Sequence, residues 1–168
     1  MDQYKANSRL FRAALDGSIA ATHAALDAGA DVNARDLEEG TALHFAALYN
    51  RADIAKVLIK RGANVNAANY SQNTPLHWAA ANGRADATTV LLDHGAEVGV
   101  ENGNHQTPLD CAIKYGHTTI VELLENAADF GTVADAHAAL DAAATKPQRH
   151  ADRVTGERKD KRQRQPGG

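Results

Sequence analysis

Apolar residues along this chain fall into short groups spaced i, i+3, i+4, and the groups are of two kinds. One kind reads Leu43, Ala46, Ala47, then Leu76, Ala79, Ala80, then Leu109, Ala112, Ile113. The other reads Ile54, Val57, Leu58, then Ala87, Val90, Leu91, then Ile120, Leu123, Leu124. Such spacing lines one face of an α-helix, so the pattern predicts helices in alternating pairs. Thr74-Pro75 and Thr107-Pro108 mark helix starts, where a hydroxyl can cap and proline gives up an amide that would be unpaired anyway. Gly17, Asn50, Gly83 and Gly116 end the first helix of each pair, and Gly29, Gly62 and Gly95 follow the second. Glycine and asparagine tolerate the left-handed conformation that a helix terminus needs. A single pair buries too little apolar surface to offset its ordering entropy, so neighbouring pairs must supply most of the core.

The pairs recur at a fixed distance. Thr41-Ala42-Leu43-His44, Thr74-Pro75-Leu76-His77 and Thr107-Pro108-Leu109-Asp110 lie 33 residues apart, and one period earlier stands Ser8-Arg9-Leu10-Phe11. Gly29-Ala30-Asp31-Val32-Asn33 returns as Gly62-Ala63-Asn64-Val65-Asn66 and as Gly95-Ala96-Glu97-Val98-Gly99. This sequence resembles the ankyrin repeat, a turn followed by two antiparallel helices with a T-P-L-H-x-A signature. The resemblance implies an all-α solenoid of stacked helix-turn-helix units with β-turn fingers. It places repeats at about 8–40, 41–73, 74–106 and 107–131 within one domain, 1–144. Repeat one departs from the signature at Arg9 and Phe11, as suits a terminal cap. Repeat four carries Asp110 for histidine and is one residue short, without glycine, near Asn126-Ala127-Ala128. Thr132, Val133, Ala136 and Leu140 suggest a further capped helix over 132–144 that covers the open end.

Charge separates the last stretch from the rest. Residues 145–168 hold eight basic side chains against three acidic ones, net +5, which leaves −8 on the preceding residues from a total of −3. Few large apolar residues lie beyond Lys146-Pro147, so this tail is expected to be disordered alone. The run Arg158-Lys159-Asp160-Lys161-Arg162-Gln163-Arg164 suits a nuclear-import signal, a nucleic-acid or acidic-lipid contact, or a solubilising segment. It has no interleaved aromatics for base stacking. The −8 body predicts a partner with a basic patch and argues against nucleic acid binding by the repeats. No apolar run approaches the roughly 20 residues that span a bilayer, and the start lacks a signal-peptide core. A single cysteine, Cys111, fits a reducing compartment. The expected location is therefore intracellular, cytoplasmic or nuclear, and the expected state alone is monomeric.

Chemistry is sparse. His44 and His77 recur one period apart, but equivalent positions in neighbouring repeats sit about 10 Å apart, too far to share one metal ion. The resemblance implies that each histidine hydrogen-bonds around the preceding threonine. Cys111 has no Cys-His-Asn constellation near it, and no phosphate loop or paired acid motif is present, so neither catalysis nor a cofactor is expected. By resemblance Asn33 and Asn66 match positions that asparaginyl hydroxylases modify in some ankyrin proteins. Their residue type alone suits a turn-stabilising hydrogen bond.

The fifth, eighth and ninth positions of the first helices point to the concave side. They are Arg12, Leu15, Asp16; Phe45, Leu48, Tyr49; Trp78, Ala81, Asn82; and Cys111, Lys114, Tyr115. Aromatic residues make up only 5% of the chain, yet Phe45, Tyr49, Trp78 and Tyr115 share this strip. They can cover one another's inter-repeat edges, anchor a partner in a groove, or do both. Cys111 reads as a small apolar member of that surface. The turn tips, with Tyr70, Gln72 and His105, vary most between copies and form a second candidate contact row, or else drifted solvent loops. A protein partner held by Arg12, Phe45, Leu48, Tyr49, Trp78, Asn82, Cys111, Lys114, Tyr115 and these tips is the expected function. The alternative is a nucleic-acid-associated or nuclear factor whose basic tail docks while the repeats recruit.

Overall fold

A computed structural model describes residues 2–130. The apolar groups become eight helices: α1 (Gln3–Asp16), α2 (Ile19–Asp27), α3 (Ala42–Leu48), α4 (Ala52–Lys60), α5 (Pro75–Ala81), α6 (Ala85–Asp93), α7 (Pro108–Lys114) and α8 (Thr118–Phe130). No strand occurs among the described residues. The fold is an all-α solenoid of four stacked helix pairs. The odd-numbered helices form one row, the even-numbered helices a second, and each helix packs on its counterparts in the adjoining pairs. Leu10, Leu43 and Leu76 bury completely along the first row, and Ile54, Leu58, Leu91, Ile120 and Leu124 along the second. Ala46, Ala47, Ala79 and Ala80 are closed between pairs, where only a methyl group fits this approach.

The cap of each inner first helix is built twice over. The Thr41 amide donates to His44 Nδ1 at 3.1 Å, and the Thr74 amide to His77 Nδ1 at 3.1 Å. In α7 an acid replaces the histidine, and Asp110 accepts from the Thr107 amide at 2.8 Å and from its hydroxyl at 2.7 Å. The left-handed residue after the first helix also receives a side chain of the next pair. A methyl group on Gly83 would lie 2.8 Å from His117 Nδ1, with φ at +67°. His117 is held there because its Nε2 bonds the Ala81 carbonyl at 3.1 Å, as Arg84 Nε bonds the Leu48 carbonyl at 2.8 Å. Asn50 stands in at φ +55°, and its side chain bonds the Asp86 carboxylate and the Ala87 amide.

Two ends depart from the repeat. The first helix begins at Gln3, not at Ser8, because Asp2 caps it through the Tyr4 amide and Ala6 extends the apolar stripe by a turn. Asn7 then accepts from the Asp31 amide at 2.8 Å. The equivalent amides of Asn64 and Glu97 are served by Asn33 and Asn66 of the preceding pair, so α1 replaces a missing neighbour. At the other end α8 runs on to Phe130, past Ala128, the residue in register with Gly29, Gly62 and Gly95. Ile113, equivalent to the closed Ala47 and Ala80, is 58% exposed there. The suggested helix over 132–144 and the basic tail from 145 lie outside the described residues.

A groove across three helix pairs

The loops between pairs are narrow hairpins whose roots are tied by asparagine and aspartate side chains. The Asp36, Asn69 and Asn102 amides donate to the Gly40, Asn73 and Gln106 carbonyls at 2.9 to 3.0 Å. Asp36 Oδ1 and Asn102 Oδ1 each accept two amides of their own loop, and Asn69 Oδ1 accepts one. Neighbouring loops join through Tyr70 N–H to Glu38 O and Gly103 N–H to Ser71 O. Glu39, Gln72 and His105 sit at φ near +60° at equivalent places, so a turn that suits glycine carries a side chain in each loop.

Buried histidines weld these loops to the helices. His44 Nε2 lies 3.0 Å from the Asn73 carbonyl and His77 Nε2 2.9 Å from the Gln106 carbonyl, each in the following loop. A backbone amide can only donate and a carbonyl can only accept, so Nδ1 is the bare nitrogen and Nε2 carries the proton. Burial, the dominant influence, pushes the His44 pKa down to about 4, and burial likewise lowers that of His77. Both rings are thus neutral structural links. Asn33 and Asn66 act in parallel, each bonding the following pair through both amide atoms, to Gly62 O and Asn64 N and to Gly95 O and Glu97 N. The hydrogen bonds are therefore between repeats and not within one turn.

Against this frame lies a groove of about 400 Å³ spanning the second, third and fourth pairs. The structure brings six of the sequence candidates together in it: Leu48, Trp78, Asn82, Cys111, Lys114 and Tyr115. Lys114 Nζ lies 5.5 Å from the Tyr115 ring centre. Cys111 is only 5% exposed, so it belongs to the floor and is not an accessible anchor. Burial first, and Asp110 second, raise its thiol pKa, which opposes formation of the nucleophilic thiolate.

The other candidates lie elsewhere. Phe45 is edge-on between Phe11 and Trp78, at centroid distances of 5.9 and 5.8 Å, so it covers inter-repeat edges. Tyr49 is exposed beyond the groove lining, and Arg12 pairs with Asp16 at 3.0 Å on α1. Tyr70 and Gln72 sit out on the loops, and His105 pairs with Glu101 at 3.1 Å. The groove instead meets the loop roots, Asn73, Asn102, Asn104 and Gln106. The sequence analysis missed these roots, and the signal that could have found them is the periodic Asp36, Asn69, Asn102 set, which marks where each loop is tied.

Among the described residues no group of three or more His, Cys, Asp or Glu side chains could hold a metal ion. No described helix is long and apolar enough to cross a membrane. No curated protein matches the chain. The family model described as ankyrin repeats (3 copies) matches residues 10–102 and, overlapping, 72–134. Ankyrin repeats are in general protein–protein interaction modules, and typically non-enzymatic ones. With the threonine–histidine caps, the paired helices and the hairpin loops in register, the chain belongs to the ankyrin-repeat family.

Proposed function

We propose that this chain is a non-enzymatic adaptor, scaffold or inhibitory subunit that holds a partner protein across its groove and loop row. The supporting observation is convergence: Leu48, Trp78, Asn82, Lys114 and Tyr115, from three successive helix pairs, face one groove on a frame fixed by inter-repeat hydrogen bonds. Aromatic anchors in such clefts supply most of the energy of an interface, and a rigid frame loses little entropy on binding. The net −8 of residues 1–144 favours a partner with a basic patch outside the groove, and an association rate that falls with salt. Alone the chain is monomeric in this reading. Capture with the wild-type chain and with Trp78→Ala/Tyr115→Ala tests it, and a partner retained equally by both would refute the site.

The +5 charge of residues 145–168 favours a second reading, in which that segment docks to nucleic acid while the repeats recruit. Deleting the segment abolishes nucleic-acid or nuclear association in that case and leaves partner capture intact.

A further inference from the structure

We infer that the groove takes an extended peptide segment of its partner, gripped through the main chain, and not a helix. This rests on the groove being the partner site, and it concerns what the groove recognises. The lining contains no carboxylate, a single cation and a ring of amides. The side chains of Asn104 and Gln106 bond no other described residue. Asn73 Oδ1 accepts from Asn102 Nδ2 at 2.8 Å, and its own side-chain Nδ2 bonds no other described residue. Asn82 donates to the Trp78 carbonyl at 2.8 Å and keeps its oxygen unused.

The main chain that carries Asn104 and Gln106 is fixed before any ligand arrives. Asn102 is buried and ties the loop that carries Asn104 and Gln106, and the Gln106 carbonyl is bonded to His77.

A helix satisfies its main-chain groups internally and offers a partner its side chains alone. Docked here it would cover several amides without answering them, and each buried polar group left unpaired is costly. An extended segment presents N–H and C=O groups along both edges, and a carboxamide can either donate or accept, so this lining answers it wherever the two meet. The apolar faces of Leu48 and Trp78 then take intervening side chains. Equivalent residues of successive repeats stand about 10 Å apart, so the groove spans roughly 20 Å, which an extended chain covers in about six residues.

The test uses random linear peptides of about twelve residues, twice that span, displayed on phage and selected on the full-length chain. Trp78 is the single tryptophan, so its emission reports the groove directly. The best peptide is made synthetically and methylated in turn at each main-chain nitrogen, which removes one donor and keeps every side chain. Expected are a shift in Trp78 emission, losses of about tenfold in affinity at more than one methylated position, and losses of roughly five- to tenfold for Asn104→Ala and Gln106→Ala. If every methylation is tolerated, if a helix-stapled version binds as well, or if no linear peptide is selected, the inference is overturned. Where the emission still shifts with such a helical binder, the groove stands as the partner site and only the extended mode fails. Binding that leaves Trp78 emission unmoved overturns both.

Discussion

Lowering the pH should loosen this solenoid by a route that runs through His44. In the native chain Nδ1 accepts the Thr41 amide at 3.1 Å and Nε2 bonds the Asn73 carbonyl at 3.0 Å, so the ring is satisfied only while neutral. A second proton would have to sit on Nδ1, facing an N–H, in a completely buried place. The folded state therefore binds this proton more weakly than the unfolded chain, with a pKa of about 4 against 6.5. The contribution of His44 is fully present above pH 6.5 and is lost as pH falls toward the folded value. The difference corresponds to roughly 3 kcal/mol between the limits, and about 2 kcal/mol is lost by pH 5. His77 shifts in the same direction and adds to the effect.

Urea unfolding at neutral pH and near pH 5, followed by Trp78 emission, measures the loss. The non-titrating His44→Gln variant removes the His44 share from the comparison, since carboxylates titrate in both proteins. The wild type should lose about 2 kcal/mol more than the variant over that interval. Direct titration of the His44 ring by NMR should give a midpoint near 4. Equal pH losses in the two proteins, together with a ring midpoint near the ordinary 6.5, would refute the buried-link account.

Further outcomes follow from other contacts. Asn66→Ala removes bonds to Gly95 and Glu97 of the next pair and should cost about 1–3 kcal/mol in urea unfolding, whereas an unchanged midpoint would show the link to be idle. Gly83→Ala should destabilise more than Gly62→Ala, since both sit at positive φ but only the first would collide with a neighbour, the anchored His117 ring. Equal losses would contradict this. The Thr88 hydroxyl is buried with no hydrogen-bond partner among the described residues, so Thr88→Val should raise stability by about 1 kcal/mol, and a loss in thermal unfolding would count against it. Truncation after Phe130 should lower the urea midpoint if residues 132–144 cover the exposed face of Ile113, with about 1.5–3 kcal/mol at stake for one large apolar side chain. Equal midpoints for the truncated and full chains would leave that face uncovered.

The stacking was legible in the sequence because burial of this kind is periodic. Leu43 and Leu76 recur every 33 residues in the same chemical surroundings, so one correct helix pair gives the rest. The ends broke the period and were harder to see. Ser8 is a residue type that can cap a helix, but it lies inside α1 with its hydroxyl bonded to the Tyr4 carbonyl, and the cap is Asp2. The groove was half legible. Trp78, Lys114 and Tyr115 followed from helical geometry, but the loop roots at Asn104 and Gln106 did not. Their approach to Trp78 depends on the His77–Gln106 bond, which joins residues 29 apart and leaves no mark in local spacing. Phe45 was ambiguous for the opposite reason: an aromatic on an inner helix suits a partner and a neighbouring repeat equally, and its T-shaped contacts with Phe11 and Trp78 show the second role.

The most direct measurement is hydrogen exchange on the full chain, with and without a protein partner recovered by affinity capture. Binding across the groove predicts slowed exchange at the C-terminal ends of α5 and α7 and in the 102–106 loop, with α4 and α6 unchanged on the outer row. Added protection confined to the outer helices, or none around Trp78, would contradict the account.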